Sequence, residues 1–237
     1  MQTTSALYKS IVAGEHYFET KITLNGNEVT EDKIISLERT RPGISGNGPT
    51  VGGALCSTIR MTIINPAYTI PERAEIKVYV RAINGTQTSE WIQSGTYYID
   101  TRARKATYNA VETIEFTAFD ALILTDQDYP DTEHDWPYYD IHVVQEIAST
   151  IGVTVDSRTI GFLTSRYSIN LPSGYTMRET LQNIAALYGG NFVMTDSNTL
   201  LFVPLYGLDP DITGYYLADR DGTTALMMGD EGWFILV

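Results

Sequence analysis

A single cysteine in 237 residues, Cys56, rules out an intramolecular disulfide, so the fold must hold without covalent staples. At 43% hydrophobic, a chain of this length can bury one large core or two medium ones unaided. Cys56 lies in Ala54-Leu55-Cys56-Ser57-Thr58-Ile59, which reads as a strand, and a buried, reduced thiol is expected there because free cysteine behaves as a small hydrophobe. None of the three histidines, His16, His134 and His142, is near it in sequence, so nothing local pairs it with a base.

Basic residues are scarce as well: 16 Lys and Arg face 29 Asp and Glu, a net charge of -13. That balance excludes a sequence-independent grip on nucleic acid, which needs clustered cations for the phosphates. Passage of DNA through a lumen without contact stays open. No apolar run approaches the roughly 20 residues that span a bilayer, and Met1-Gln2-Thr3-Thr4-Ser5 lacks the basic and apolar regions of a signal peptide. A soluble protein made in the cytoplasm, without membrane insertion, is expected.

Catalytic and ligand motifs are missing too. The stretch Arg41-Pro42-Gly43-Ile44-Ser45-Gly46-Asn47-Gly48-Pro49-Thr50-Val51-Gly52-Gly53 is rich in Gly and Pro, but no Gly-Lys-Ser/Thr follows, so it reads as a flexible loop, or one ordered only by a partner, rather than a phosphate cradle. Asp126, Asp128, Asp131, Glu133, His134, Asp135, Asp140 and His142 crowd oxygen and imidazole donors, yet match neither an EF-hand loop nor a zinc spacing. They read as a solvated acidic linker whose Asp140 caps a helix. No Gly-x-Ser-x-Gly elbow occurs, and no carboxylate pair is marked out for glycoside hydrolysis. No enzyme activity, cofactor or metal is expected.

What is present is mostly β pattern. Ser5 to Glu15 carries Leu7, Tyr8, Ile11 and Val12 at helical spacing. From Tyr17 the period changes to two, and Asn25-Gly26 supplies a hairpin turn. Further strands are expected over Ile34 to Glu38, Leu55 to Ile64, Ala74 to Ala82, Gly95 to Arg102 and Thr113 to Phe119, a spacing that suggests a sandwich or barrel. In Ser89-Glu90-Trp91-Ile92-Gln93-Ser94-Gly95-Thr96-Tyr97-Tyr98-Ile99, Trp91 is expected to fill a barrel interior, with sugar stacking as the functional alternative.

After Asp120 the pattern becomes α/β. Asp140 to Gly152 reads as a helix, Val153 to Val155 as a short strand and Ile160 to Pro172 as an irregular connection. Thr176-Met177-Arg178-Glu179 has capping-box spacing and opens a helix that Gly189-Gly190 ends. Asn191 to Thr195 and Thr199 to Pro204 then form a hairpin. The organisation expected is a β-rich domain over 1–120, an α/β domain over 121–205, and strands over 206–237 that return to the first domain or start another. Trp233-Phe234-Ile235-Leu236-Val237 should pair and pack, since so many large apolar residues in water are costly.

Three stretches, Ser89 to Asp100, Phe116-Thr117-Ala118-Phe119-Asp120-Ala121-Leu122 and Tyr175 to Phe192, resemble the N-terminal part of tail-hub proteins from phages of Gram-positive bacteria, a family that includes hubs of contractile tails. The third is the most specific, a Thr-x-Arg-Glu-x-Leu helix running into Gly-Gly and a strand. The resemblance covers about Leu7 to Leu205. It implies an α+β fold, a β-barrel-like domain with an inserted smaller α/β domain, in a virion structural protein of the tail baseplate. It further implies a homotrimer around the tail axis that meets the tail tube, distal tail protein, tape measure, and fibre or spike. Residues expected near partners are Arg41, Pro42, Gly43, Ile44, Gly46 and Asn47 of the loop, and Trp233, Phe234 and Ile235. A carbohydrate-binding or host-recognition module, stacking sugars on Trp91 or Trp136, is the alternative from another class, and a tail-associated hydrolase a third.

Overall fold

The computed structural model describes residues 4–41, 51–66, 68–106, 112–130, 135–163, 165, 167–205, 216–218, 225–228 and 234–236, the side chains of 104–106 and of the last three segments excepted. The chain opens with α1 (Ala6–Val12), capped by the Ser5 hydroxyl, which accepts from the Tyr8 amide. Then come β1 (Tyr17–Leu24), β2 (Asn27–Val29), β3 (Ile34–Thr40), β4 (Gly53–Leu55), β5 (Thr58–Ile64), β6 (Glu75–Ile83), β7 (Ile92–Ala106) and β8 (Glu112–Phe119). β9 (Tyr138–Tyr139), α2 (Asp140–Thr150), β10 (Thr154–Val155), α3 (Ser157–Phe162), β11 (Ser168–Ile169), α4 (Met177–Leu187), β12 (Gly190–Met194) and β13 (Thr199–Pro204) follow.

Seven strands form one antiparallel sheet in the order β2-β1-β6-β7-β8-β5-β3. The first hairpin turns on Asn25 and Gly26, both at positive φ, which matches the twist of the strands they join. β7 pairs with β6 through its first half, up to Tyr98, and with β8 through its second, from Tyr98 to Ala106. This stagger, with register shifts at Val78/Tyr79 and Ile99/Thr101, curls the sheet into a half-barrel. Ile22, Ile59, Met61, Ile76, Tyr97 and Phe116 meet inside the curl in a core of its own. Burying a ring such as Phe116, fully enclosed here, contributes about 2–3 kcal/mol. The α+β, barrel-like fold read from the sequence is therefore present.

The bulge opposite Val78 corrects one expectation. Gly95 sits at φ 135°, and the bulge places an extra residue on β7, so the side-chain alternation flips between Gln93 and Tyr97. Tyr97 goes inward and is 1% exposed, whereas Trp91 is half-buried outside that core, under the cations of Lys21 and Arg81. Tyr97, not Trp91, fills the interior.

A second core gathers Leu122, Val144, Ile147, Leu181, Ile184, Phe192 and Phe202 between α2, α4 and a smaller sheet ordered β10-β13-β12-β4. Here two further expectations change. The apolar run Leu55 to Ile64 is not one strand: it breaks at Cys56-Ser57, so that β4 runs parallel to β12 while β5 joins the large sheet. Asp120 fixes the break by accepting from the Ser57 amide at 2.6 Å. The connection read as irregular, Ile160 to Pro172, holds the end of α3, a helix that Asp156 caps through the Arg158 amide, and all of β11. The Thr176–Glu179 capping box forms in full. Residues 1–205 make one compact unit.

Residues 206–237 make a second unit, a three-stranded antiparallel sheet of β14 (Tyr216–Ala218), β15 (Ala225–Met228) and β16 (Phe234–Leu236). Leu226, Met227 and Met228 pair with Leu236, Ile235 and Phe234. Of the apolar ending, Phe234, Ile235 and Leu236 are thus used in strand pairing, and Trp233 and Val237 lie outside the described residues.

Candidate interaction surface

The end of β3 meets the β12–β13 turn through charge. Arg39 donates to the Ser94 hydroxyl at 2.7 Å and to Asp196 at 2.5 Å, and Arg41 reaches both Asp196 oxygens at 2.6 Å. Gln93 adds an amide donor to the Asp196 carbonyl. The turn is locally built: Asn198 takes positive φ, and the Thr195 hydroxyl accepts from the Thr199 amide. Beside it opens a cleft of about 390 Å³, whose floor includes Val193, Met194 and Leu201 and whose walls include Arg41, Asp156 and Arg158. Arg158 grips Asp156 bidentately, at 2.8 and 2.9 Å, and that hydrogen-bonded guanidinium holds the Asp156 carboxyl well below the usual carboxylate range.

Of the partner-contact residues read from the sequence, Arg41 lies on this surface, exposed, while Phe234 and Ile235 lie in the separate small sheet. Pro42, Gly43, Ile44, Gly46, Asn47 and Trp233 lie outside the described residues. Asp156, Arg158 and Asp196 join Arg41 on this surface from outside that set. The Asp-x-Arg spacing at a helix start was the available signal for the first two.

Asp131, Glu133 and His134 of the acidic stretch lie outside the described residues, and the others are not uniformly solvated. Asp126 is half-exposed and clamped by Arg178, Asp128 and Asp135 are exposed, and Asp140 is fully buried. Asp140 is the first residue of α2, with Tyr139 in the capping position, and its carboxylate accepts from the Tyr167 amide and the Tyr188 hydroxyl. Burial follows because α2 starts against β11 and α4, so the carboxylate serves neighbouring chain segments as well as its own helix. Among the described residues no cluster of His, Cys, Asp and Glu has metal-site geometry. Trp136, half-buried, packs on the α/β core edge-on to Tyr129 and Tyr138, and Trp91, also half-buried, is engaged by two cations.

Cys56 is half-buried rather than enclosed, and the Arg178 guanidinium donates to its sulfur at 3.2 Å. Burial and the nearby Asp120 carboxylate push the thiol up to about 11, outweighing Arg178. Cys56 is therefore protonated at neutral pH. Iodoacetamide at pH 8 is expected to alkylate it about 100-fold more slowly in the folded chain than in the urea-unfolded chain, as read by mass spectrometry. Equal rates would contradict this environment.

No protein-family model and no curated protein matches the chain. Solved structures do. The 43 kDa tail protein of prophage MuSo2 from Shewanella oneidensis superposes with a TM-score of 0.52 at 15% identity, over 80% of this chain and 56% of that one. The tail protein from Neisseria meningitidis MC58 gives 0.52 at 13% identity, over 86% and 56%. The chain shares the fold of these two tail proteins over most of its length. It spans a little over half the length of these two. No helix among the described residues is long and apolar enough to cross a membrane.

Proposed function

We propose that this chain is a non-enzymatic structural subunit of a phage or prophage tail, a baseplate hub protein joining the tail tube and distal tail protein to the central fibre or spike. The observation that carries the reading is the fold held in common with two tail proteins over 80% and 86% of the chain. The open sheet agrees with it: among the described residues it ends on β2 and β3, whose outer backbone groups suit pairing with another subunit. Function then rests on buried interface, and a homotrimer around the tail axis is the assembly the reading implies. The acidic balance fits a hub through which DNA passes without being gripped.

Light scattering over a range of concentrations tests this. The trimer mass is the expected result, reached at lower concentration when a tail component is added. A monomer at every concentration that also binds no distal tail or tube protein would sink the proposal.

A further inference from the structure

The cleft beside the β12–β13 turn carries more cationic donors than its internal ion pairs occupy. Three guanidiniums, of Arg39, Arg41 and Arg158, converge on only two carboxylates, Asp196 and Asp156. Asp120, on the buried side of Ser57, has its oxygens turned to the Ser57 and Leu122 amides, and Asp156 and Asp196 are the acidic residues of the cleft lining. In a chain of net charge -13 this is a local excess of cation. The outer two arginines are the accessible ones, 57% and 53% exposed. Each holds its aspartate with part of its donor set: Arg41 through Nη2, Arg158 through Nε and Nη2. Among the described residues, Nε and Nη1 of Arg41 and Nη1 of Arg158 donate to nothing. Besides Ser57, Thr195 and Ser197, the floor carries the apolar cross-strand pair Val193 and Leu201, on the outer face of the hairpin, opposite Phe192 and Phe202 of the core.

Cationic walls with unused planar donors over a partly apolar floor suit a ligand that offers carboxylates at its margins and an aliphatic side chain between them. We infer that this cleft docks an acidic peptide segment of a partner protein, Arg41 and Arg158 each taking a carboxylate while an intervening apolar side chain covers Val193 and Leu201. A phosphate-bearing ligand would satisfy the guanidiniums but leave the apolar pair in water. The cleft belongs to the compact 1–205 unit and joins the half-barrel end of β3 to the α/β sheet, so its occupant would also hold the two layers together. This names the chemistry of one partner in the proposed tail assembly and rests on that reading.

The test is fluorescence anisotropy on the whole chain with a labelled peptide of alternating Asp and Leu, beside its alternating Asn and Leu counterpart. At about 50 mM salt the Asp peptide is expected to bind at least about tenfold more tightly than the Asn peptide, with the advantage shrinking severalfold at about 300 mM. The Arg41→Ser, Arg158→Ser double variant should remove that advantage. Absence of binding by the Asp peptide, equal binding of the two peptides, or an advantage undiminished in the double variant would overturn the inference. Comparing the two peptides on the unsubstituted chain needs no variant, so the answer does not depend on the variant's folding. Because the readout is made on any oligomeric form, failure to trimerise leaves it unaffected, and a trimer that ignores the Asp peptide rejects the cleft without rejecting the hub.

Discussion

Replacing Arg178 by alanine is expected to destabilise the 1–205 unit by about 3 kcal/mol. The side chain leaves the first turn of α4 and reaches three separate parts of the chain. It donates to the Ala54 carbonyl at 3.0 Å, to the Leu122 carbonyl at 2.7 Å, and to the Asp126 carboxylate, with Cys56 sulfur alongside. Asp126 is half-exposed, so water can replace that partner and the ion pair by itself contributes little. The carbonyls decide the magnitude. Each lies where β4 or the turn after β8 packs on α4, and each would lose a charged donor, at about 1–3 kcal/mol apiece. Lysine, a single point donor, is expected to restore less than about half of the loss, because it cannot span the three directions that the planar guanidinium spans. Urea unfolding would check both: the midpoint should fall with the slope unchanged. A midpoint for Arg178→Ala indistinguishable from the unsubstituted chain would show that the node is dispensable.

Gly190→Ala should be comparably damaging for a different reason. The two glycines that end α4 do different work. Gly189 has φ 66°, the left-handed conformation that closes the helix, and alanine there would cost about 1 kcal/mol of backbone strain. Gly190 has no unusual φ; its requirement is space. A Cβ at Gly190 would collide with the Phe202 ring and the Val203 carbonyl oxygen, and would lie 2.8 Å from Pro204 Cα. Phe202 is buried in the α/β core, and the other two atoms are backbone of β13, so relief requires β12 to move off its neighbour. Such a move would strain the bond from the Gly52 amide to the Gly190 carbonyl, which ties β4 to the same place. A loss of about 3 kcal/mol, or about 10 °C in melting temperature, is expected for Gly190→Ala, and roughly a third of that for Gly189→Ala. Calorimetry on the two variants would settle the order, and equal effects would mean that the helix stop, not the packing, controls the site.

These two positions fall within the stretch that carried the tail-hub resemblance, and the structure gives that motif a physical content. Thr176 and Glu179 close the capping box, Arg178 ties α4 to β4 and the turn after β8, Leu181 enters the core, and Gly189 and Gly190 end the helix and admit β13. The capping box was legible because both partners lie within a single turn of the same helix. What Arg178 does was not legible, since the Ala54 carbonyl is 124 residues away. The candidate surface was read the same way: Arg41 was singled out, while Asp196, 155 residues distant, and the Asp156–Arg158 pair beside it were not.

Strand pattern, the Asn25-Gly26 turn, the helix starting at Thr176 and the hairpin after Gly190 were determined by the sequence alone, because each depends on residues a few positions apart and on backbone preferences that water cannot override. Only the tertiary structure decided which sheet Gly53–Leu55 joins, which way Trp91 points and whether Asp140 is solvated. In those cases several placements leave the local pattern unchanged. Continuous apolar character suits either sheet, one bulge residue reverses the side-chain alternation without altering composition, and a carboxylate at a helix start can face water or a neighbouring segment. The choice falls to contacts between distant parts of the chain, which the sequence lists but does not bring together.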